Sequence, residues 1–427
     1  MKMNFSIYKD EFMNETLYSA THSTGLSVYI MPKPGYSQCE AMFATRFGSI
    51  DNEFSLMGND ARIRIPDGTA HFLEHKLFDE EDGNVFDKFS ALGANANAFT
   101  SFGLTAYYFS ATDNFLESLG VLVKFVQSPY FTPDSIAKEQ GIIGQEIRMY
   151  EDNPNWRVFF NMLGAMYHNN CVKYDIAGTV ESIAEIDDKV LYDAYNTFYH
   201  PSNMVLFIVG DVDVTQVGEC VENSLKDIPP LSGEIGRVYP DEPASVASAY
   251  VEQKLSVAMP LFMIGFKDND MNLTGDALLK KDITTQILGE MLFGKSTALY
   301  KSLYEQGLIN DSFSAGNSCN AKYSFYGIEG ESKDPKAVFE AVLKCAEGAA
   351  LDEEAFNRAK RVIWGLYVRC FNSPSGIAHV FVNSNVIGVD IFHHQQVYNT
   401  ITLQDVRERL LSQLRREYAV LSVVDPI

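Results

Sequence analysis

One pattern occurs twice in this 427-residue chain and limits the fold more than any local signal does. Ile136–Pro154 (IAKEQGIIGQEIRMYEDNP) matches Phe356–Pro374 (FNRAKRVIWGLYVRCFNSP) at a constant offset of 220 residues (374 − 154). Each copy follows an acidic helix start, Pro133-Asp134 in one half and Asp352-Glu353-Glu354 in the other. Each half also closes on an apolar run of strand type, Met204–Asp213 (MVLFIVGDVD) and Tyr418–Pro426 (YAVLSVVDP). A plan repeated once in this way predicts two tandem, homologous α+β domains. Between them, Lys226–Pro243 is rich in Pro and Gly and reads as a connection. The expected boundaries are therefore 1–227, a linker at 228–245, and 246–427. With 46% hydrophobic residues the chain has enough apolar surface for two cores.

The first half carries His71-Phe72-Leu73-Glu74-His75. On a helix, positions i and i+4 share one face about 5–6 Å apart at Cβ, so both imidazoles can meet one Zn²⁺ at about 2.0–2.1 Å. Glu74, at i+3 from His71, lies on that face as a candidate base for water activated there. Gly68-Thr69 offers a helix start with Thr69 as cap, and Leu73, Leu77 and Phe78 give an apolar side. A chance match on an amphipathic helix is the competing reading, and the need for a third protein ligand tests it. Glu139 and Glu146 lie seven apart, two turns, on a helix expected from Pro133 to Tyr150. Glu146 sits among Ile142, Ile143, Ile147 and Met149, where a carboxylate without a partner is costly.

The repeat provides an internal control. Glu139 and Glu146 become Ala359 and Leu366 in the second copy, and alignment on Phe78 and Phe293 sets Gln286, Gly289 and Glu290 against His71, Glu74 and His75. The second copy of the same scaffold thus dispenses with every candidate ligand, which makes a purely structural role for them less economical.

Lys+Arg 34 against Asp+Glu 56 gives a net charge of −22, which argues against nucleic-acid binding and gives no basic patch for anionic membranes. The acidity suits basic peptides as ligands, or simply solubility. No stretch approaches the roughly 18 apolar residues of a membrane span, and the first residues (MKMNFSIYKDEF) lack an apolar core, so no membrane insertion and a soluble chain are expected. Six cysteines at 39, 171, 220, 319, 345 and 370 form no C-x-x-C pair, which suits free thiols in a reducing, cytoplasmic compartment. Adjacent His393 and His394 diverge on either a helix or a strand and are poor chelators of one ion.

Together these segments resemble the catalytic domain of the pitrilysin, insulysin and mitochondrial processing peptidase family, metallopeptidases with an inverted H-x-x-E-H motif. The resemblance rests on Gly68–His75 (GTAHFLEH), Gly93–Ser101 (GANANAFTS), Glu139–Glu146 (EQGIIGQE), Tyr199–Met204 (YHPSNM) and Gly210–Asp213 (GDVD), and it covers nearly the whole chain. It implies a clam-shell of two α+β domains, each a mainly antiparallel sheet packed against helices, with metal ligands in the first domain and none in the second. It further implies His71, His75 and Glu146 as Zn²⁺ ligands, Glu74 as general base and Glu139 as a carboxylate orienting the site. Asn97, Ala98 and Phe99 would line the cleft on an edge strand that pairs with the substrate backbone, which favours extended peptides. Read without the family, that segment is a strand beside a Gly turn.

One departure bears on activity. Family members carry L-R-x-x-x-x-x-x-Y in the non-catalytic domain, whose Arg and Tyr help hold the substrate. Here the stretch reads Ser302–Phe313 (SLYEQGLINDSF), with Tyr304 at the Arg position and Asn310 or Asp311 where Tyr is expected. The resemblance implies a zinc metalloendopeptidase that hydrolyses unstructured peptides or processes precursor peptides in an enclosed cleft, working as a homodimer or with a homologous partner subunit. The alternatives are a weakly active or non-catalytic peptide-binding subunit of a heterodimer, and a zinc hydrolase of other bonds.

Overall fold

The computed structural model describes residues 3–55, 61–81 and 83–427. Its main elements are two mainly antiparallel sheets with helices packed on them, which is the α+β architecture expected from the repeat. The contacts divide the chain into two compact units. One comprises Met1–Ile147, Asp175–Val238 and Cys370–Val386, and the other Arg148–Tyr174, Tyr239–Arg369 and Ile387–Ile427.

The sheet of the first unit has seven strands in the spatial order Ser6–Asp10, Glu15–Thr21, Ser27–Pro32, Met204–Gly210, Cys39–Thr45, Thr105–Ala111 and Asn95–Thr100. All neighbours are antiparallel except Met204–Gly210 with Ser27–Pro32. The apolar run near the end of the first half thus becomes a central strand, buried along its whole length, as a strand covered on both faces should be. Asn95–Thr100, small and half-exposed, is left at the edge with a free row of backbone groups.

The sheet of the second unit repeats the plan with five strands, ordered Tyr250–Leu255, Ala419–Pro426, Leu261–Lys267, Ser324–Glu331 and Ser314–Cys319. Again the closing apolar run is an inner strand, and again a short strand, Ser314–Cys319, stands at the edge. Its core joins Phe262, Ile264 and Phe266 of the sheet to Ile283, Ile287 and Leu288 of the helix Gly275–Phe293.

The units differ from two consecutive segments in one respect. The helix Pro154–Met166 follows the long helix of the first half yet packs on strands of the second unit's sheet, where a Cβ at Gly265 would come within 2.4 Å of Met162 and Met166. Conversely, Pro374–Val386 lies on the first unit's sheet, with Phe381 stacked on Phe207 at 4.2 Å and tilted against Tyr29 at 4.9 Å. Both helices begin at a proline that ends the preceding helix, so the chain can change direction there. Periodicity marks them as buried but is silent on which sheet buries them. The expected linker 228–245 is likewise divided, up to Val238 in one unit and from Tyr239 in the other.

Candidate active site

The motif helix runs Thr69–Lys76. Its cap is not Thr69, as the sequence suggests, but Gly68, whose φ of 91° is left-handed and whose Cβ, if present, would lie 2.5 Å from the carbonyl oxygen of Ala177. Thr69 is the first helical residue and donates its hydroxyl to Pro66 O at 2.7 Å. The helix is buried nearly all round, with Phe72, Leu73 and Leu77 inaccessible in the core. Lys76, also inaccessible, pairs with Asp79 at 2.5 Å. This packing confines the His71 imidazole, whereas the His75 side chain is 27% exposed and is held by its hydrogen bond to Glu139.

The second carrier is the helix Pro133–Glu151, started by Pro133 and by reciprocal bonds between Thr132 and Ser135 at 3.2 Å. As the two-turn spacing requires, Glu139 and Glu146 both face the motif helix. His71 Nε2 lies 3.8 Å from Glu146 Oε1, and His75 Nε2 lies 3.5 Å from Glu146 Oε2. The two rings are 4.6 Å apart at 56°. One ligand atom from each of His71, His75 and Glu146 falls within 4.8 Å of the others, and among the described residues these form the group of metal-binding type. A tetrahedral ion bound at about 2.1 Å separates its ligands by about 3.4 Å, so these distances fit one with small side-chain adjustments.

The remaining polar atoms fit as well. Glu139, buried, accepts from His75 Nδ1 at 3.0 Å, which fixes the tautomer that leaves Nε2 free towards Glu146. Burial, then the neighbouring His75, pushes the His71 imidazole down to about 3, so it is neutral and its lone pair is available. Its Nδ1 is buried with no hydrogen-bond partner among the described residues. For His75, burial opposes the charged form, but the bond to Glu139 and the charges of Glu74 and Glu146 outweigh it and raise the pKa. Burial raises Glu74 too, against the opposing effect of the Thr100 hydroxyl, which donates to Oε2 at 2.6 Å. Two imidazoles, His75 having to lose any proton before it ligates, and a carboxylate are a donor set of the kind that holds Zn²⁺, and Glu74 is a second carboxylate on the same helix as the imidazoles.

Asn97, Ala98 and Phe99 lie where the sequence expects them, on an edge strand beside the motif helix. Alternation divides them. Thr100 reaches Glu74, so Ala98 shares the site-facing side, whereas Phe99 turns away and stacks on His379 at 5.4 Å. Asn97 turns its Oδ1 to its neighbour, accepting from Ala98 N at 2.8 Å. Whatever these three offer a ligand at the site is therefore chiefly backbone. Thr100 and Tyr199 lie within the segments Gly93–Ser101 and Tyr199–Met204 that carry the resemblance, but they and Tyr107 are given no role by the sequence reading. The two tyrosine hydroxyls share a bond of 2.8 Å, and Tyr107 lies against Leu73 O at 3.5 Å, beside Glu74. Strand alternation signals Thr100, but its reach to Glu74 depends on how helix and sheet pack.

The second unit holds the counterpart. Gln286, Gly289, Glu290 and Leu366, the residues that the repeat alignment sets against His71, Glu74, His75 and Glu146, line one cavity of about 410 Å³ beside the edge strand Ser314–Cys319. The scaffold is kept there and the ligands are gone.

Two family models match the chain. The one described as insulinase (peptidase family M16) matches residues 65–180, which include His71, Glu74, His75, Glu139 and Glu146. The one described as the peptidase M16 inactive domain matches residues 185–363. The uncharacterized zinc protease YmfH of Bacillus subtilis is 41% identical over 419 residues, 97% of this chain and 98% of that protein. The crystal structure of an M16-like peptidase from Alicyclobacillus acidocaldarius aligns with a TM-score of 0.91 at 34% identity, covering 100% of this chain and 99% of that one. Pitrilysin shares the fold, with a TM-score of 0.77 at 15% identity over 100% of this chain and 46% of its own. The chain belongs to peptidase family M16, the family its motifs resemble, and its relatives are named zinc proteases.

Among the described residues no cysteine forms a disulfide. Among the described residues no single helix is long and apolar enough to cross a membrane.

Proposed function

We propose that this chain is a zinc endopeptidase of unstructured peptides, with His71, His75 and Glu146 holding the ion and Glu74 acting as base. The observation that carries this reading is the convergence of those three ligand atoms within 4.8 Å beside a buried carboxylate already fixed by a hydrogen bond. When bound, Zn²⁺ supplies Lewis acidity, polarising the scissile carbonyl and acidifying water at the site. Glu74 takes the proton of the attacking water on its carboxylate and then passes it to the departing amine. Glu139 keeps His75 in the tautomer whose Nε2 ligates. The free edge of Asn95–Thr100 holds the peptide as an added strand, through the backbone of Asn97, Ala98 and Phe99. Such pairing needs an extended chain, which is why unstructured peptides are the substrate class.

A second reading has one specific observation in its favour. Tyr304, half-exposed on the helix Ala298–Glu305, stands where the family carries Arg, and Asn310 is bonded to Glu331 at 2.8 Å. On that reading this chain works with a homologous subunit that supplies the missing Arg and Tyr, and is weakly active or non-catalytic alone. The scattered cysteines, none paired in a disulfide among the described residues, fit a cytoplasmic site of action. Elemental analysis with a peptide-library cleavage assay tests the main reading. One zinc per chain and cleavage lost on chelation are expected, and a chain without zinc and without peptide turnover, alone or with its partner, refutes it.

A further inference from the structure

Thr100 is neither a candidate metal ligand nor the candidate base, yet its hydroxyl is committed to Glu74. Its Oγ1 donates to Glu74 Oε2 at 2.6 Å and lies 3.3 Å from Thr105 Oγ1, whose own proton goes to Phe47 O at 3.0 Å. With Thr105 spoken for, the single proton of Thr100 serves Glu74. Thr100 ends the edge strand Asn95–Thr100. Being β-branched on a strand, it has a stiff χ1 that sets the direction of the hydroxyl. Glu74 is a flexible side chain, 8% exposed, and needs such a tether to hold one oxygen still.

The second unit supplies an independent comparison. Thr100 pairs with Thr105 in the ladder of the first sheet, and Cys319 pairs with Ser324 at the same place in the second. Where Glu74 is replaced by Gly289, Thr100 is replaced by Cys319. The hydroxyl is absent from the half that lacks the carboxylate.

We propose that Thr100 is a positioning residue, tying one oxygen of Glu74 to the end of the peptide-binding strand so that the other faces the water to be deprotonated. This rests on the zinc-peptidase reading above. The test compares the parent, Thr100→Val, Thr100→Ser and Glu74→Gln as full chains, with the partner subunit present if turnover requires it. Zinc affinity is read by chelator competition, and kcat and KM on one quenched-fluorescent peptide. Thr100→Val keeps shape and β-branching but not the hydroxyl. It should hold zinc within about twofold of the parent and KM within about threefold, while kcat falls about 10- to 100-fold, the usual range for an outer-shell partner. Thr100→Ser should recover most of the kcat. Parental kcat in Thr100→Val beside an inactive Glu74→Gln overturns this inference alone. So does loss of zinc in Thr100→Val, or failure of Thr100→Ser to recover, since either makes the residue a support of the fold or metal site. A parent that cleaves no faster than Glu74→Gln overturns the zinc-peptidase reading and this inference with it.

Discussion

Replacing Glu139 by alanine isolates the support of one metal ligand from the ligands themselves. The carboxylate accepts from His75 Nδ1 at 3.0 Å and touches no other candidate ligand through a bond of that kind. Its loss leaves the imidazole free to turn and to exchange tautomers, which typically costs 10- to 100-fold in metal affinity, or about 1.4–2.8 kcal/mol. The His75 side chain is 27% exposed against 11% for Glu139, so water can enter and take over part of the bond. The lower half of the range is therefore expected, about 10- to 30-fold weaker zinc binding. The fold should survive, because the second copy of the helix carries Ala359 at this position, buried and well packed. Glu139→Gln, which keeps an acceptor without the charge, should fall between the two. The assay is competition for zinc with a chromogenic chelator, and circular dichroism shows that the variant is folded. A dissociation constant within twofold of the parent in the folded Glu139→Ala variant would refute the claim that this carboxylate orients His75.

Three further outcomes are expected. Glu74→Gln should retain zinc and lose peptide cleavage by about 10²–10⁴-fold, the worth of a positioned base, and parental turnover in that variant excludes Glu74 from the role. Supplying a homologous subunit that carries the Arg and Tyr missing around Tyr304 and Asn310 should raise kcat and not only lower KM, since remote contacts act in the transition state; equal rates with and without it end the heterodimer idea. Glu40, 1% exposed, has Oε1 without a hydrogen-bond partner among the described residues, and burial, partly offset by Ser375, pushes its carboxyl from 4.5 up to about 7. The folded state thus binds this proton more tightly than the unfolded chain. No penalty exists below about 4.5, and it is fully present above about 7, so stability falls as pH rises between them. Glu40→Gln should therefore gain about 2 kcal/mol over the parent between pH 5 and pH 8, discounting the roughly 3 kcal/mol of the full shift for nearby solvent. Urea unfolding at both pH values checks this, and an unchanged difference between the two proteins contradicts it.

The duplicated plan and the metal-ligand candidates are legible in the sequence because both rest on local periodicity. A two-turn spacing puts Glu139 and Glu146 on one face of any helix that contains them, and a four-residue spacing does the same for His71 and His75. Comparing the two copies then separates residues the scaffold needs from residues it tolerates losing, as Ala359 and Leu366 show. Three features came only with the tertiary structure. That Glu139 meets Nδ1 of His75 while Glu146 meets both Nε2 atoms depends on the register of one helix against another. That the helices Pro154–Met166 and Pro374–Val386 pack on the sheets they do depends on which apolar surface accepts them, and hydrophobic periodicity is the same in either case. That Thr100 binds Glu74 depends on where the edge strand ends against the motif helix. Residue spacing fixes which side chains share a face of their own element, but the pairing of faces is decided by packing between segments far apart in the chain.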